Sequence, residues 1–139
     1  MTETAKYAAK PLPDLADPIT ARFWVATRKQ QLTVPRCASC RYLLWPPEIV
    51  CPECYNATFE WEDVPTTGTL WSYAIYCSAL DPAFANDLPY VVGLVDLVPG
   101  VKMYGLVLGD PDELEIGRRV EAVFDSVTDD VTLVRWRLA

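Results

Sequence analysis

The spacing of apolar and polar positions changes twice along the chain. Residues 1–17 are rich in Ala, Pro, Asp and Thr and sustain no apolar period, so they are expected to form an arm that orders only against something else. Asp17-Pro18 then gives a helix-start signal, with Asp as N-cap and Pro at the first helical position. Ile19, Phe23 and Ala26, with Trp24 beside them, recur at helical spacing up to Gln30. A helix this short is marginal on its own, so its Phe23-Trp24 pair must pack on a neighbouring domain or on a partner.

From Gly68 onward the runs read as strands. Gly68–Tyr76, Tyr90–Val98, Val101–Gly109, Arg118–Phe124 and Val131–Leu138 are each rich in β-branched or aromatic residues. Pro99-Gly100 predicts a tight hairpin turn between the second and third runs. Asp110-Pro111-Asp112-Glu113 and Asp129-Asp130 separate the later ones, and Ser78–Pro89 is the longest loop. Five antiparallel strands in so short a segment predict a small closed barrel, for which the OB-fold is the commonest five-stranded solution and an SH3-like barrel the alternative. Strand alternation puts Trp71, Tyr73 and Ile75 on one face, and Val134, Trp136 and Leu138 on another, as expected core positions.

Between helix and barrel, Cys37, Cys40, Cys51 and Cys54 form the pattern C-x2-C-x10-C-x2-C. Two residues between cysteines let both sulfurs point at one ion from a single turn, and two such turns complete a tetrahedron suited to zinc. Two disulfides or four unrelated thiols are the alternatives. The polar start MTETAKYAAK lacks a signal peptide's apolar region; the protein is therefore expected in the reducing cytoplasm, where disulfides are disfavoured. Arg41 and Tyr55 follow the second cysteine of each pair, positions that often need a left-handed backbone, which costs a non-Gly residue about 1–2 kcal/mol. A zinc site worth on the order of 10–16 kcal/mol absorbs that. Four thiolates leave no position for a catalytic water. Cys77 stands alone at the end of the first strand and is expected to be a small buried residue, not a nucleophile.

Composition narrows the chemistry further. The 139 residues contain no histidine, which removes Ser-His-Asp and Cys-His catalysis and imidazole acid–base chemistry. The net charge is -7. Residues 1–60 carry seven basic and six acidic groups, and residues 61–139 carry five basic and thirteen acidic, which argues against nucleic acid or an anionic membrane as main partner. No apolar run approaches the eighteen or so residues that span a bilayer. Five Trp, seven Tyr and four Phe exceed the needs of one small core and point to an aromatic-bearing interface.

The ordered motifs make the chain resemble the domain of unknown function 35 family. The Phe23-Trp24 helix, the Cys37/Cys40 and Cys51/Cys54 knuckles and the intervening Pro46-Pro47 carry the first part of the likeness. Gly68-Thr69-Leu70-Trp71-Ser72-Tyr73, then Leu88-Pro89-Tyr90-Val91-Val92 running into Leu94-Val95-Asp96-Leu97, and finally Asp112-Glu113-Leu114-Glu115-Ile116-Gly117 carry the rest. The resemblance implies a mostly β chain: an N-terminal helix, a rubredoxin-like four-cysteine zinc ribbon and a five-stranded OB-fold barrel. The expected division is an arm over 1–17, a helix over 18–33, the ribbon over 34–64 and the barrel over 65–139.

Members of that family resemble non-catalytic companions of thiolase-superfamily enzymes acting on acyl-CoA. Some accompany acetoacetyl-CoA thiolases; others accompany thiolase-like aldolases that shorten CoA-linked steroid side chains. The resemblance therefore implies one structural zinc per chain and an accessory role on a thiolase-fold dimer, giving a two-fold heterotetramer that helps form a CoA channel. Phe23, Trp24, Leu80, Phe84 and Leu88 are the expected partner contacts. Tyr73, Tyr76, Tyr90 and Arg22 are the expected lining of the channel, with Arg22, Arg28 and Lys29 or the partner supplying cations for the CoA phosphates. Two readings compete: a nucleic-acid-binding ribbon and OB module, and a small acyl-CoA enzyme using a carboxylate among Asp110, Asp112, Glu113 and Glu115.

Overall fold

The computed structural model describes residues 10–139. Of the expected arm, residues 1–9 lie outside the described residues, and from Lys10 the chain lies against its own barrel, Lys10 Nζ meeting Asp87 Oδ2 at 2.6 Å. Helix α1 spans Ala21–Arg28 with Thr20 at its N-cap position, three residues later than the Asp17-Pro18 signal predicts. Asp17 serves the preceding turn instead: its carboxylate accepts from the N–H of Ile19 at 2.9 Å, and its carbonyl accepts from Thr20 and Ala21. The helix buries Phe23, Ala26 and Thr27, the face its spacing predicts.

Strands β1 (Leu32–Cys37) and β2 (Phe59–Val64) pair antiparallel, from Leu32 opposite Val64 to Cys37 opposite Phe59. Both cysteine knuckles hang from the far end of this ladder. The barrel follows as β3 (Thr67–Tyr76), β4 (Tyr90–Val98), β5 (Val101–Leu106), β6 (Arg119–Ser126) and β7 (Thr132–Leu138). Their order in the sheet is β5-β4-β3-β6-β7. A parallel bridge between Val107 and Trp136 joins the two edges, with the N–H of Leu108 donating to Trp136 O at 2.7 Å. This nearly closed five-stranded barrel is the OB-fold.

The predicted loops contain more structure than their composition indicates. Pro82–Asp87 is a 3-10 helix started by Asp81, whose side chain accepts from the N–H of Ala83. Pro111–Glu113 is another, with Asp110 accepting from Asp112 N at 2.9 Å. The acidic cluster at 110–115 thus begins with a carboxylate that holds its own turn.

One continuous apolar cluster joins the three parts. Phe23 of α1 and Leu32, Val34 and Val64 of the ribbon pack with Leu70, Val95 and Trp136 of the barrel. Two expected core residues are absent from it. Trp71 is 53% exposed and Ile75 46%. A bulge between Leu70 and Ser72 in the pairing with β4 breaks the simple alternation. Trp71 therefore faces outward under the Nζ of Lys102, 5.2 Å from its ring centre, while Tyr73 packs against the core.

Trp136 is fully buried because β5 offers no side chain opposite its indole. A Cβ at position 105 would lie 2.6 Å from Trp136 Nε1. Gly105→Ala is therefore expected to destabilise the barrel by about 1–3 kcal/mol through overpacking, read as a lower denaturant midpoint with unchanged zinc content.

Candidate functional site

The metal centre is built by two matching turns. After Cys37 the N–H of Arg41 donates to the Cys37 carbonyl at 3.0 Å, and after Cys51 the N–H of Tyr55 donates to the Cys51 carbonyl at 2.8 Å. Arg41 and Tyr55 take φ of 67° and 64°, the left-handed conformation expected at both positions. Each turn thus curls back over its own first cysteine and aims both sulfurs at one point.

The sulfurs converge as a zinc ion requires. Cys37 Sγ and Cys54 Sγ lie 3.5 Å apart, and Cys40 Sγ and Cys51 Sγ 3.6 Å; all four fall within 4.8 Å of one another. A tetrahedron with Zn–S bonds of about 2.3 Å has edges of about 3.8 Å, whereas a disulfide would need about 2.05 Å. Cys37 and Cys51 are buried, while Cys40 and Cys54 are exposed.

The thiols also share charge unequally. At Cys37 burial opposes ionisation, but the N–H groups of Cys40 and Ser39 and the thiols of Cys54 and Cys40 outweigh it, and the pKa falls to about 6. At Cys40 a backbone hydrogen bond with Tyr42 favours the thiolate, yet burial and the other three cysteines push the pKa up to about 12. Four negative sulfurs at this spacing need a dication among them. The four cysteines hold one structural zinc, with no coordination position left for substrate.

The remaining predicted site residues separate into groups. Tyr76 and Tyr90 stack, with ring centres 5.1 Å apart and planes 12° from parallel, and Phe84 leans on Tyr90 at 6.1 Å. Tyr73 does not join them: it points into the barrel, where its hydroxyl donates to Leu114 O at 3.4 Å. Arg22 is exposed on α1. Phe23 is only 6% exposed, held 4.9 Å from Trp24 and 4.8 Å from Trp45. It belongs to this chain's own core rather than to a partner surface, because the helix is too short to stand without it. Trp24 is half-buried and borders an apolar groove of about 410 Å³ with Trp45, Pro46, Pro47 and Tyr104. In the 77–89 loop Leu80 is 98% exposed, while Phe84 and Leu88 are half-buried. Cys77, expected to be buried, is exposed, since β3 ends one residue earlier.

An outward apolar face escaped the motif reading. Ser72, Leu94 and Tyr104 stand in one row across β3, β4 and β5, and Ala74, Val92 and Leu106 in the next. Tyr104 is 71% exposed. The signal lay in β4: its run YVVGLVDLV is apolar on both faces, the pattern of a strand covered on both sides, although only its inner face meets the core.

Residues 24–60 match the family model described as ChsH2, rubredoxin-like zinc ribbon domain, and residues 61–125 match ChsH2, C-terminal OB-fold domain. A DUF35 domain-containing scaffold protein of Methanothermobacter thermautotrophicus is 32% identical over 80% of this chain and 85% of its own length. The chain belongs to the DUF35 family.

Further likenesses agree with this. A chain of the solved structure "Ltp2-ChsH2(DUF35) aldolase" superposes with a TM-score of 0.79 at 30% identity, covering 91% of this chain and 98% of that one. A DUF35 protein of unknown function from Sulfolobus solfataricus shares the fold at a TM-score of 0.61 and 15% identity, over 99% of this chain and 92% of that one. The "Probable enoyl-CoA hydratase alpha subunit" of Thermomonospora curvata is 33% identical over 99% of this chain, which spans 43% of that protein's length. Among the described residues no helix is long and apolar enough to cross a membrane.

The zinc assignment predicts about one zinc per chain by metal analysis. Cys51→Ser, which removes a buried ligand, is expected to release the metal and unfold the ribbon, as is a strong chelator, because little apolar packing remains there. Retention of full zinc by the Cys51→Ser protein would overturn the assignment.

Proposed function

We propose that this DUF35 chain is a non-catalytic, zinc-stabilised subunit that docks on a thiolase-fold enzyme and supports its work on acyl-CoA, including steroid side chains carried as thioesters. The observation that carries this reading is the near full-length likeness to a chain of the Ltp2-ChsH2 aldolase. The chemistry of the site supports it. A closed four-sulfur zinc centre offers no Lewis acid to a substrate, and a chain without histidine must leave proton transfer to its partner or to carboxylates.

The surface supports docking as well. Trp71, Tyr104 and the Tyr76/Tyr90 stack expose aromatic area on one side of the barrel, and Leu80 projects beside it. Exposed aromatic patches of this kind mark interaction surfaces. One copy on each subunit of a dimeric enzyme gives a two-fold heterotetramer. In this reading Tyr76 and Tyr90 border a shared entrance for CoA. The acidic barrel repels the CoA phosphates, so Arg22, Arg28 and Lys29, all exposed at α1, or the partner supply the cations.

Co-expression with a thiolase-fold enzyme encoded beside it is expected to give a single species, with equal amounts of both chains, in size-exclusion chromatography. Separate elution would overturn the proposal. Within a complex, Leu80→Asp is expected to weaken affinity about tenfold or more while leaving zinc content and folding unchanged. Leu80 is the cleaner probe, because Phe84 also packs on Tyr90 and Lys10 within this chain.

A further inference from the structure

OB-folds take ligands on the face of their second and third strands, between the loop joining strands one and two and the loop joining strands four and five. Here those loops are residues 77–89, between β3 and β4, and residues 127–131, between β6 and β7. A cavity of about 430 Å³ lies at this place, with Phe84, Tyr90, Leu106, Phe124 and Leu133 among its walls. That volume is within the range of about 300–1,000 Å³ common for small-molecule sites.

The chain's own N-terminal segment crosses this cleft. At one side Lys10 is tied to the first loop: Nζ is 2.6 Å from Asp87 Oδ2 and 5.3 Å from the Phe84 ring centre, and the side chain is only 8% exposed. At the other side Leu15 packs on Val127 and Val131 of the second loop. Lys10 and Pro11 themselves form part of the cavity wall. The segment is therefore anchored on both loops that bracket the cleft, by a partly buried ion pair at one end and an apolar contact at the other. Between its anchors Leu12 remains 38% exposed, so the crossing is a surface strap, not a buried strand.

We propose that residues 10–15 are a strap that closes the barrel's ligand cleft and makes access to it conditional on release of the Lys10–Asp87 tie. The strap occupies the seat an oligonucleotide would need, which adds a steric reason to the electrostatic one against nucleic-acid binding. The proposal does not depend on which enzyme the chain accompanies.

Charge exchange at the tie, read with an uncharged apolar fluorophore, Nile red, tests it. The folded wild-type chain is expected to bind the dye weakly. Lys10→Glu sets two carboxylates against each other and is expected to raise dye affinity about fivefold or more; adding Asp87→Lys restores the pair with reversed polarity and returns binding to the wild-type level. A chain lacking residues 1–15 is expected to bind at least as tightly as Lys10→Glu. Zinc content and near-ultraviolet circular dichroism identify dye binding to loosened protein. Equal dye binding by the wild-type and truncated chains, or no rescue by the second charge change, would overturn the strap. Loss of native structure in both Lys10→Glu and the truncated chain would also overturn it, by making the segment part of the core.

Discussion

The meeting of four sulfurs at one point is the constraint on which the rest of the molecule depends. Around the metal site Cys37, Leu44 and Cys51 form a small apolar cluster with Phe59 against them, far too little apolar area to fold a segment of this size. The ion closes the end of the β1–β2 ladder, and the ladder then presents Leu32, Val34 and Val64 to the main cluster. Phe23 and the helix dock on those same residues. Metal chemistry in the ribbon is therefore coupled to packing in the barrel.

Much of this was legible because the signals were local. The cysteine spacing carries its geometry within two tight turns, and Pro99-Gly100 marks the β4–β5 hairpin, where Gly100 takes φ of 87°. Strand positions follow from β-branched and aromatic runs, with errors of a few residues at their ends. Where reading failed, the cause was non-local or a competing local bond. Asp17 was drawn to cap an Asx turn instead of the helix. The bulge at Leu70/Ser72 turned Trp71 outward, and nothing in an alternating pattern announces an inserted residue. Phe23 went inward because a groove in another part of the chain, containing Trp45, was there to receive it.

The same distinction explains why the exposed aromatic face was only partly legible. Composition counts the aromatic rings but does not say which of them are outside. Register does: pairing Leu94 with Tyr104 and Val92 with Leu106 assembles a face that no single strand displays. The zinc ligands, by contrast, need no register beyond their own turns. A site made of neighbours in sequence can be read from the chain, whereas a face made across strands appears only once the pairing is known.

The contact between Gly105 and Trp136 has an evolutionary consequence. A large indole at 136 is tolerated only while 105 carries no side chain, and a side chain at 105 is tolerated only once the ring opposite has shrunk. Either change alone passes through an overpacked or a hollow barrel. The two positions are therefore inherited as one unit, and descendants of this chain are expected to alter them together or to leave both as they are.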